Sequence, residues 1–366
     1  MTVPDRLSAR QLTALAFVSA LSPLVRRFPR VLADLAGRGA LGAVALSVPL
    51  MAPLLLGAWL LLRRRSAGTG LAGVFADILG LPLGRALAGL YGLWFLFYAG
   101  FLLRSGAERL CATAYPGASP AVFAVGTALL CALAAAGRSA SLGRTAMLLR
   151  PLMLGLVLAV ALLTAKDLDL TLLLPMRAPE PSGLWTAALE TANILSVLFF
   201  LGFLGDRLSE PLRPRTALPW LAALLGVVAA MALGCLGMFG PALTARLRYP
   251  YFMLVRDLTV LGALERIEPL VIALWVFPDF LFVSVLLLLA AKCLRFALGP
   301  VRDAESPRPW LPVLCAGAAV AVAIFLPGAL ADLDALSETL VPRLCALFGL
   351  APLPVLLLVG RLRKRL

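Results

Sequence analysis

The chain has no histidine and only three lysines, Lys166, Lys292 and Lys364. The first absence removes the usual proton shuttle near neutral pH and the commonest metal ligand. Membrane enzymes built on histidine motifs are excluded with it. The shortage of lysine beside abundant arginine reads as genomic base bias, not as a site. Charged residues make up only 14% of the chain. There is no cluster of carboxylates and no paired nucleophile and base, so an enzyme is not expected. The six cysteines (Cys111, Cys131, Cys235, Cys293, Cys315 and Cys345) form no CxxC, and most lie inside apolar runs. They read as small packing residues, with no disulfide framework, metal site or cofactor.

What fills the sequence is apolar: 61% hydrophobic residues and a mean hydropathy of +0.97. Backbone polar groups in lipid must pair within their own segment, so runs of about 20 apolar residues read as spanning helices. Ten such runs are expected, at 11–25, 39–62, 85–110, 119–136, 146–165, 184–205, 217–239, 268–292, 310–327 and 338–360. Within 366 residues they leave no room for a soluble domain, so the chain reads as one all-α membrane domain over 1–366. Arg6 and Arg10 ahead of an apolar run resemble a signal peptide. The immediate Arg26-Arg27 and the lack of a small-residue cleavage site favour a retained first helix instead.

The formal net charge of +14 lies in loops between apolar runs, as the positive-inside rule expects, so no nucleic-acid partner is implied. Arg63, Arg64, Arg65, Arg138, Arg144, Arg207, Arg213, Arg215 and the basic tail fall on one side and place both termini in the cytoplasm. The cluster Arg26, Arg27, Arg30 and Arg38 violates the rule and fits better if buried in protein. Two outer segments are long: 166–183, rich in proline, and 241–267, where a short surface helix over 251–264 is expected.

Polar groups inside an apolar span are functional candidates, because burying them in hydrocarbon is costly. On the first helix these are Ser19, Ser22 and Pro23, whose missing N–H suggests a discontinuous helix. The third carries Tyr91, Trp94, Tyr98 and Ser105 near one face, with Arg104 and Glu108 at ion-pair spacing. In the sixth, Glu190, Thr191, Asn193 and Ser196 suit either a cavity wall or interhelical hydrogen bonds. Glu265 and Glu268 sit in the first turn of the eighth helix, where the positive helix end favours carboxylates. Asp279 lies mid-span beside Pro278; it suits a partner to an arginine or a proton carrier.

Several stretches together resemble the endospore germination permeases, the B-subunits of spore nutrient-germinant receptors. They are Leu7-Ser8-Ala9-Arg10-Gln11-Leu12; Leu93-Trp94-Phe95-Leu96-Phe97-Tyr98 with Arg104 and Glu108-Arg109; Thr171-Leu172-Leu173-Leu174-Pro175; Leu254-Val255-Arg256; Leu264-Glu265-Arg266-Ile267-Glu268; and Ile272-Ala273-Leu274-Trp275-Val276. The resemblance places the chain in the amino acid–polyamine–organocation superfamily. It implies a LeuT-like fold of two inverted five-helix repeats, 8–165 and 184–360. It further implies a small-nutrient pocket between broken helices one and six, walled by helices three and eight. Ser19, Ser22, Pro23, Tyr98, Asn193 and Ser196 are the expected ligand contacts. A membrane A-subunit and a C-type lipoprotein are the implied partners, alongside membrane lipid. The alternative is a proton-coupled amino-acid permease with Asp279 or Glu190 as proton carrier. One departure stands out. The superfamily's glycine-rich break in helix one reads here as Ser19-Ala20-Leu21-Ser22-Pro23-Leu24-Val25-Arg26-Arg27, which points to a more acidic ligand or to a copy diverged in function.

Overall fold

The computed structural model describes residues 5–63, 70–258, 268–299, 309–326 and 330–363. Fifteen α-helices occupy the described residues: α1 Ala9–Ala36, α2 Ala40–Arg63, α3 Leu71–Leu79, α4 Leu81–Thr113, α5 Pro120–Ala136, α6 Ser139–Thr164, α7 Pro181–Ala192, α8 Leu195–Leu201, α9 Pro214–Arg246, α10 Pro250–Arg256, α11 Glu268–Leu298, α12 Trp310–Phe325, α13 Leu330–Ala335, α14 Val341–Gly349 and α15 Pro352–Leu362. Seven stretches among them are long and apolar enough to cross a membrane. The first of these, Ala9–Gly57, holds both α1 and α2, and α5 and α12 are shorter apolar helices.

The helices pack as two groups. In one, α4 lies along α11 and α12, with α5 against α4, α11 and α12. In the other, α1 lies along α9 and α2 along α7. The first group meets the second chiefly where α1 crosses α11, and α6 supports α1 from the side. Leucine, alanine and phenylalanine fill these seams, whereas Leu129, Leu133, Leu148, Leu158 and Leu162 face outward, as lipid-facing positions do.

Helix α1 departs from expectation. It runs unbroken through Pro23 and Pro29, from a capping box in which Ser8 Oγ accepts from Gln11 N (3.2 Å) and Gln11 Oε1 accepts from Ser8 N (2.9 Å). Pro23 has no N–H to give to the Ser19 carbonyl, yet packing on all sides holds the turn: Thr13 to Ser22 are all buried. The arginines read from sequence as the end of this helix therefore lie inside it. The sixth span is broken, as expected. α7 stops at Ala192, Asn193 and Ile194 form a turn, and α8 resumes at Leu195.

Other boundaries also move. The fifth span starts at Ser139, not 146, and α3 was not foreseen. α9 bends at Gly240, whose φ of +70° suits glycine and which precedes the donor-less Pro241. The surface helix expected over 251–264 is met by α10, which ends at Arg256, and residues 259 to 264 lie outside the described residues. The acidic segment 331–338 is helical, passing from α13 into a π-helical turn, Leu336–Leu340. Among the described residues all six cysteines are free, five of them buried, and no group of potential ligands stands ready for a metal.

Candidate functional site

Three layers of polar structure cross the apolar core, each tied to α1. The central layer is ionic. Asp279 on α11 accepts from Ser22 Oγ at 2.5 Å through one oxygen and from Arg109 of α4 through the other. Arg109, Asp279 and Ser22 are all buried. One turn along α1, the buried Arg26 donates through Nη1 to Ser105 Oγ, and its guanidinium sits over the Phe101 ring at 5.3 Å. Arg104 Nε donates to Glu108 Oε1 at 2.6 Å, the expected pair, and leaves the buried Glu108 Oε2 without a partner. The sequence placed Asp279 in need of an arginine. It did not identify Arg109, 170 positions away. The signal was present: Asp279 is a mid-span acid, and Arg109 is an arginine left over from the local Arg104–Glu108 pair.

The second layer is aromatic. Tyr91, Trp94, Phe95 and Tyr98 form a buried stripe on α4, as their spacing predicts. Trp94 stacks on Tyr98 (5.2 Å between centroids) and on Phe348 of α14 (5.2 Å), and Tyr98 meets Phe282 edge-on at 5.4 Å. Cys345 of α14 reaches the side chains of both Tyr98 and Ser196. Asn193, in the turn between α7 and α8, donates from Nδ2 to the Pro342 carbonyl at 2.9 Å. Tyr98, Asn193 and Ser196 are thus gathered around one element, but that element is α14, which the sequence did not connect to them. Ser22 points instead to α11. Gly349 packs so closely on α8 that an added Cβ would stand 2.2 Å from Ser196 Cβ. Trp94 Nε1 and Asn193 Oδ1, within these contacts, have no partner, and neither does the buried Ser19 Oγ of α1.

The third layer lies toward the C-terminal half of α1. Arg27 pairs with Glu190 at 3.6 Å and donates to the Ser337 carbonyl; Arg30 pairs with Glu338 at 3.1 Å, and Arg248 with Asp334 at 3.1 Å. The α13–π segment is thereby held over Arg26. The space enclosed beneath it measures about 20 Å³, room for a single water. Glu268 opens α11, but its side chain and the whole of Glu265 lie outside the described residues.

At the opposite end of α1 the chain is latched. Leu7 pairs with Leu208 as a short parallel bridge: Leu7 N donates to the Arg207 carbonyl at 2.7 Å and Ser209 N to the Leu7 carbonyl at 2.9 Å. Asp5 accepts from the backbone of Ser139 and Ala140 at the start of α6, from Ser139 Oγ, and from Arg207 at 2.8 Å. Burial pushes the Asp5 carboxyl up, but these donors outweigh it and hold it below the usual carboxylate value. Lys292 of α11 donates to the Phe203 carbonyl at 2.7 Å and to Asp206.

Residues 6–327 match the model of a family described as "Spore germination protein". The fold is similar to that of the solved structure titled "Crystal structure of MhsT in complex with L-phenylalanine", with a TM-score of 0.63 and 18% sequence identity over 92% of this chain and 87% of that one. Comparison with curated proteins gives no match. The apolar helices and this likeness make the chain an integral membrane protein with a LeuT-like fold.

Proposed function

Because the chain belongs to the spore germination protein family, we propose that it is the germinant-sensing membrane subunit of a spore nutrient receptor. It binds a small, amino-acid-like nutrient between α1, α4 and the α7–α8 break, and it passes the change to an A-type membrane subunit and a C-type lipoprotein. The observation that carries this reading is the break itself. The backbone N–H groups of the turn stay bonded within it, but an interruption inside an apolar core presents the Asn193 amide to a polar guest, and Asn193 Oδ1 is buried without a partner. Ser19 and Trp94 add two further unfilled polar atoms from α1 and α4.

Entry requires α14 to move, since Cys345 and Phe348 occupy the face of Tyr98 and Trp94. A ligand that binds better to the displaced arrangement shifts the population toward it, by no more than its difference in affinity for the two states. The two inverted repeats, 8–165 and 184–360, are part of the same reading. The pairing of α4 and α5 with α11 and α12, and of α1 and α2 with α9 and α7, supports them. In the competing permease reading Asp279 carries a proton. Both of its oxygens are engaged, one by Ser22 and the other by Arg109, so the structure ties Asp279 into the α1–α4–α11 contact.

The test is germination dose–response at constant protein abundance. Asn193→Leu and Ser22→Val shift the response to higher nutrient concentration, and Tyr98→Phe does so more weakly. A buried polar partner left unpaired costs about 1–3 kcal/mol, roughly a 5- to 150-fold shift. Unchanged curves in all three variants would move the site elsewhere.

A further inference from the structure

We propose that Arg26 is the receptor for a carboxylate on the ligand, so that this site selects small carboxylate-bearing molecules over amines, amides and neutral solutes. The inference rests on the nutrient-site reading above and assigns its chemical class.

The argument starts from charge balance along α1. Five arginines around the core each have a carboxylate: Arg27 with Glu190, Arg30 with Glu338, Arg104 with Glu108, Arg109 with Asp279 and Arg248 with Asp334. Arg26 has none among the described residues. It is nevertheless the most enclosed of the six apart from Arg109, at 6% exposure against 5%. Asp279 attracts it without forming a salt bridge, since the Asp279 oxygens bond Ser22 and Arg109, and Arg109 itself repels it. A buried guanidinium with no carboxylate in contact is costly in an apolar interior, and such groups persist where a partner arrives.

The geometry selects the kind of partner. Ser105 takes Nη1 and the Phe101 ring supports the guanidinium from one side, so the group is held in place and in orientation. Nε is buried and donates to nothing. The free edge is the one formed by Nε and its neighbouring Nη, two parallel N–H donors that match the two oxygens of a carboxylate. A single spherical anion uses that fork poorly, and an amine or hydroxyl does not answer its charge. The enclosed space beside Arg26 is about 20 Å³, too small for a carboxylate with its carbon skeleton. Binding therefore requires Asp334, Ser337 and Glu338 to withdraw from Arg248, Arg27 and Arg30. While the segment is down, its two acids lie at the rim of the space that Arg26 lines and stand in for the missing negative charge.

The full-length chain in lipid nanodiscs provides the test, by thermal shift and calorimetry with matched L-amino acids, L-amino acid amides and primary amines. Each is measured at low and at high chloride, with no carboxylate buffer present, for the wild type, Arg26→Gln and Arg26→Lys. The carboxylate members bind the wild type; the amides and amines do not. Arg26→Gln weakens the carboxylates by about 10- to 150-fold, the range for a hydrogen bond to a charged group. Arg26→Lys keeps the charge without the fork, folds as the wild type does and binds at an intermediate level. That variant decides the matter if Arg26→Gln fails to fold, since equal binding by lysine and arginine overturns the fork. Equal carboxylate binding by the wild type and Arg26→Gln overturns the assignment and leaves the nutrient site standing. Binding of amides as tight as that of acids overturns it too, as does stabilisation by chloride alone. If no class of compound binds the wild type, the nutrient-site reading falls as well.

Discussion

Replacing Asp279 with asparagine keeps the shape of the side chain and an acceptor for Ser22 Oγ, which lies 2.5 Å away. What it removes is the charge opposite Arg109, which also attracts Arg26. The Asp279 side chain is 11% exposed and that of Arg109 is 6%, so water does little to screen the loss. Breaking a buried pair from one side costs about 3–5 kcal/mol, because the remaining ion keeps its desolvation penalty without its partner. Arg109→Gln strands the carboxylate instead and costs a similar amount. The double variant Arg109→Gln/Asp279→Asn leaves two neutral amides able to bond to each other. Groups in direct contact couple by about 0.5–3 kcal/mol, and the upper end is expected here. Titration of the purified protein from mild detergent into denaturing detergent gives the four stabilities of the cycle. Two single losses that simply add in the double variant would refute the pairing as the reason these charges are tolerated.

Gly349→Ala forces a methyl to within 2.2 Å of Ser196 Cβ and 2.7 Å of its Cα, so α8 and α14 must part. A loss of about 1–3 kcal/mol in thermal stability is expected, with partial recovery on adding Ser196→Gly, and a neutral Gly349→Ala would show that the two helices are not in contact. The depressed Asp5 carboxyl stabilises the folded chain fully above its unfolded value near about 3.9, and that contribution is lost as pH falls through the lower folded value. Thermal stability of the wild type therefore exceeds that of Asp5→Asn at pH 6, and the gap closes below about pH 4; a gap that persists at the acid end rules out this linkage. Both termini are expected on the cytoplasmic side. In a cysteine-free background, a cysteine at Thr339 should react with an impermeant reagent applied from outside and one at Ser306 should not, and the reverse pattern inverts the topology.

How much of this was legible follows from the range of each interaction. The apolar runs revealed the spans because twenty apolar residues in a row have few other homes, and Arg104–Glu108 was legible because its partners lie one turn apart. Asn193 stood out because an amide is conspicuous among leucines, but the break beside it was expected only from the family resemblance. Helix α14 could not be read in the same way. Cys345, Phe348 and Gly349 are apolar or small, and in a membrane protein such residues look alike whether they face lipid or another helix. The continuity of α1 was hidden for a different reason. Two prolines and three arginines signal a helix end where solvent is available, but here the neighbours supply packing for all of them and carboxylates for Arg27 and Arg30. The bend at Gly240 falls where the seventh span is expected to end, at 239, because Pro241 marks the change in direction.

In the proposed receptor, the latch at the start of α1 bears on what a neighbouring subunit would sense. Leu7 is bonded to the end of the α8 segment, and Asp5 is bonded to the first turn of α6 and to Arg207. Three helix ends that would otherwise travel separately are thus riveted into one platform. In the proposed receptor, any rotation at the Asn193 turn that carries the segment after α8 with it would therefore have to take the starts of α1 and α6 along, as one body instead of three.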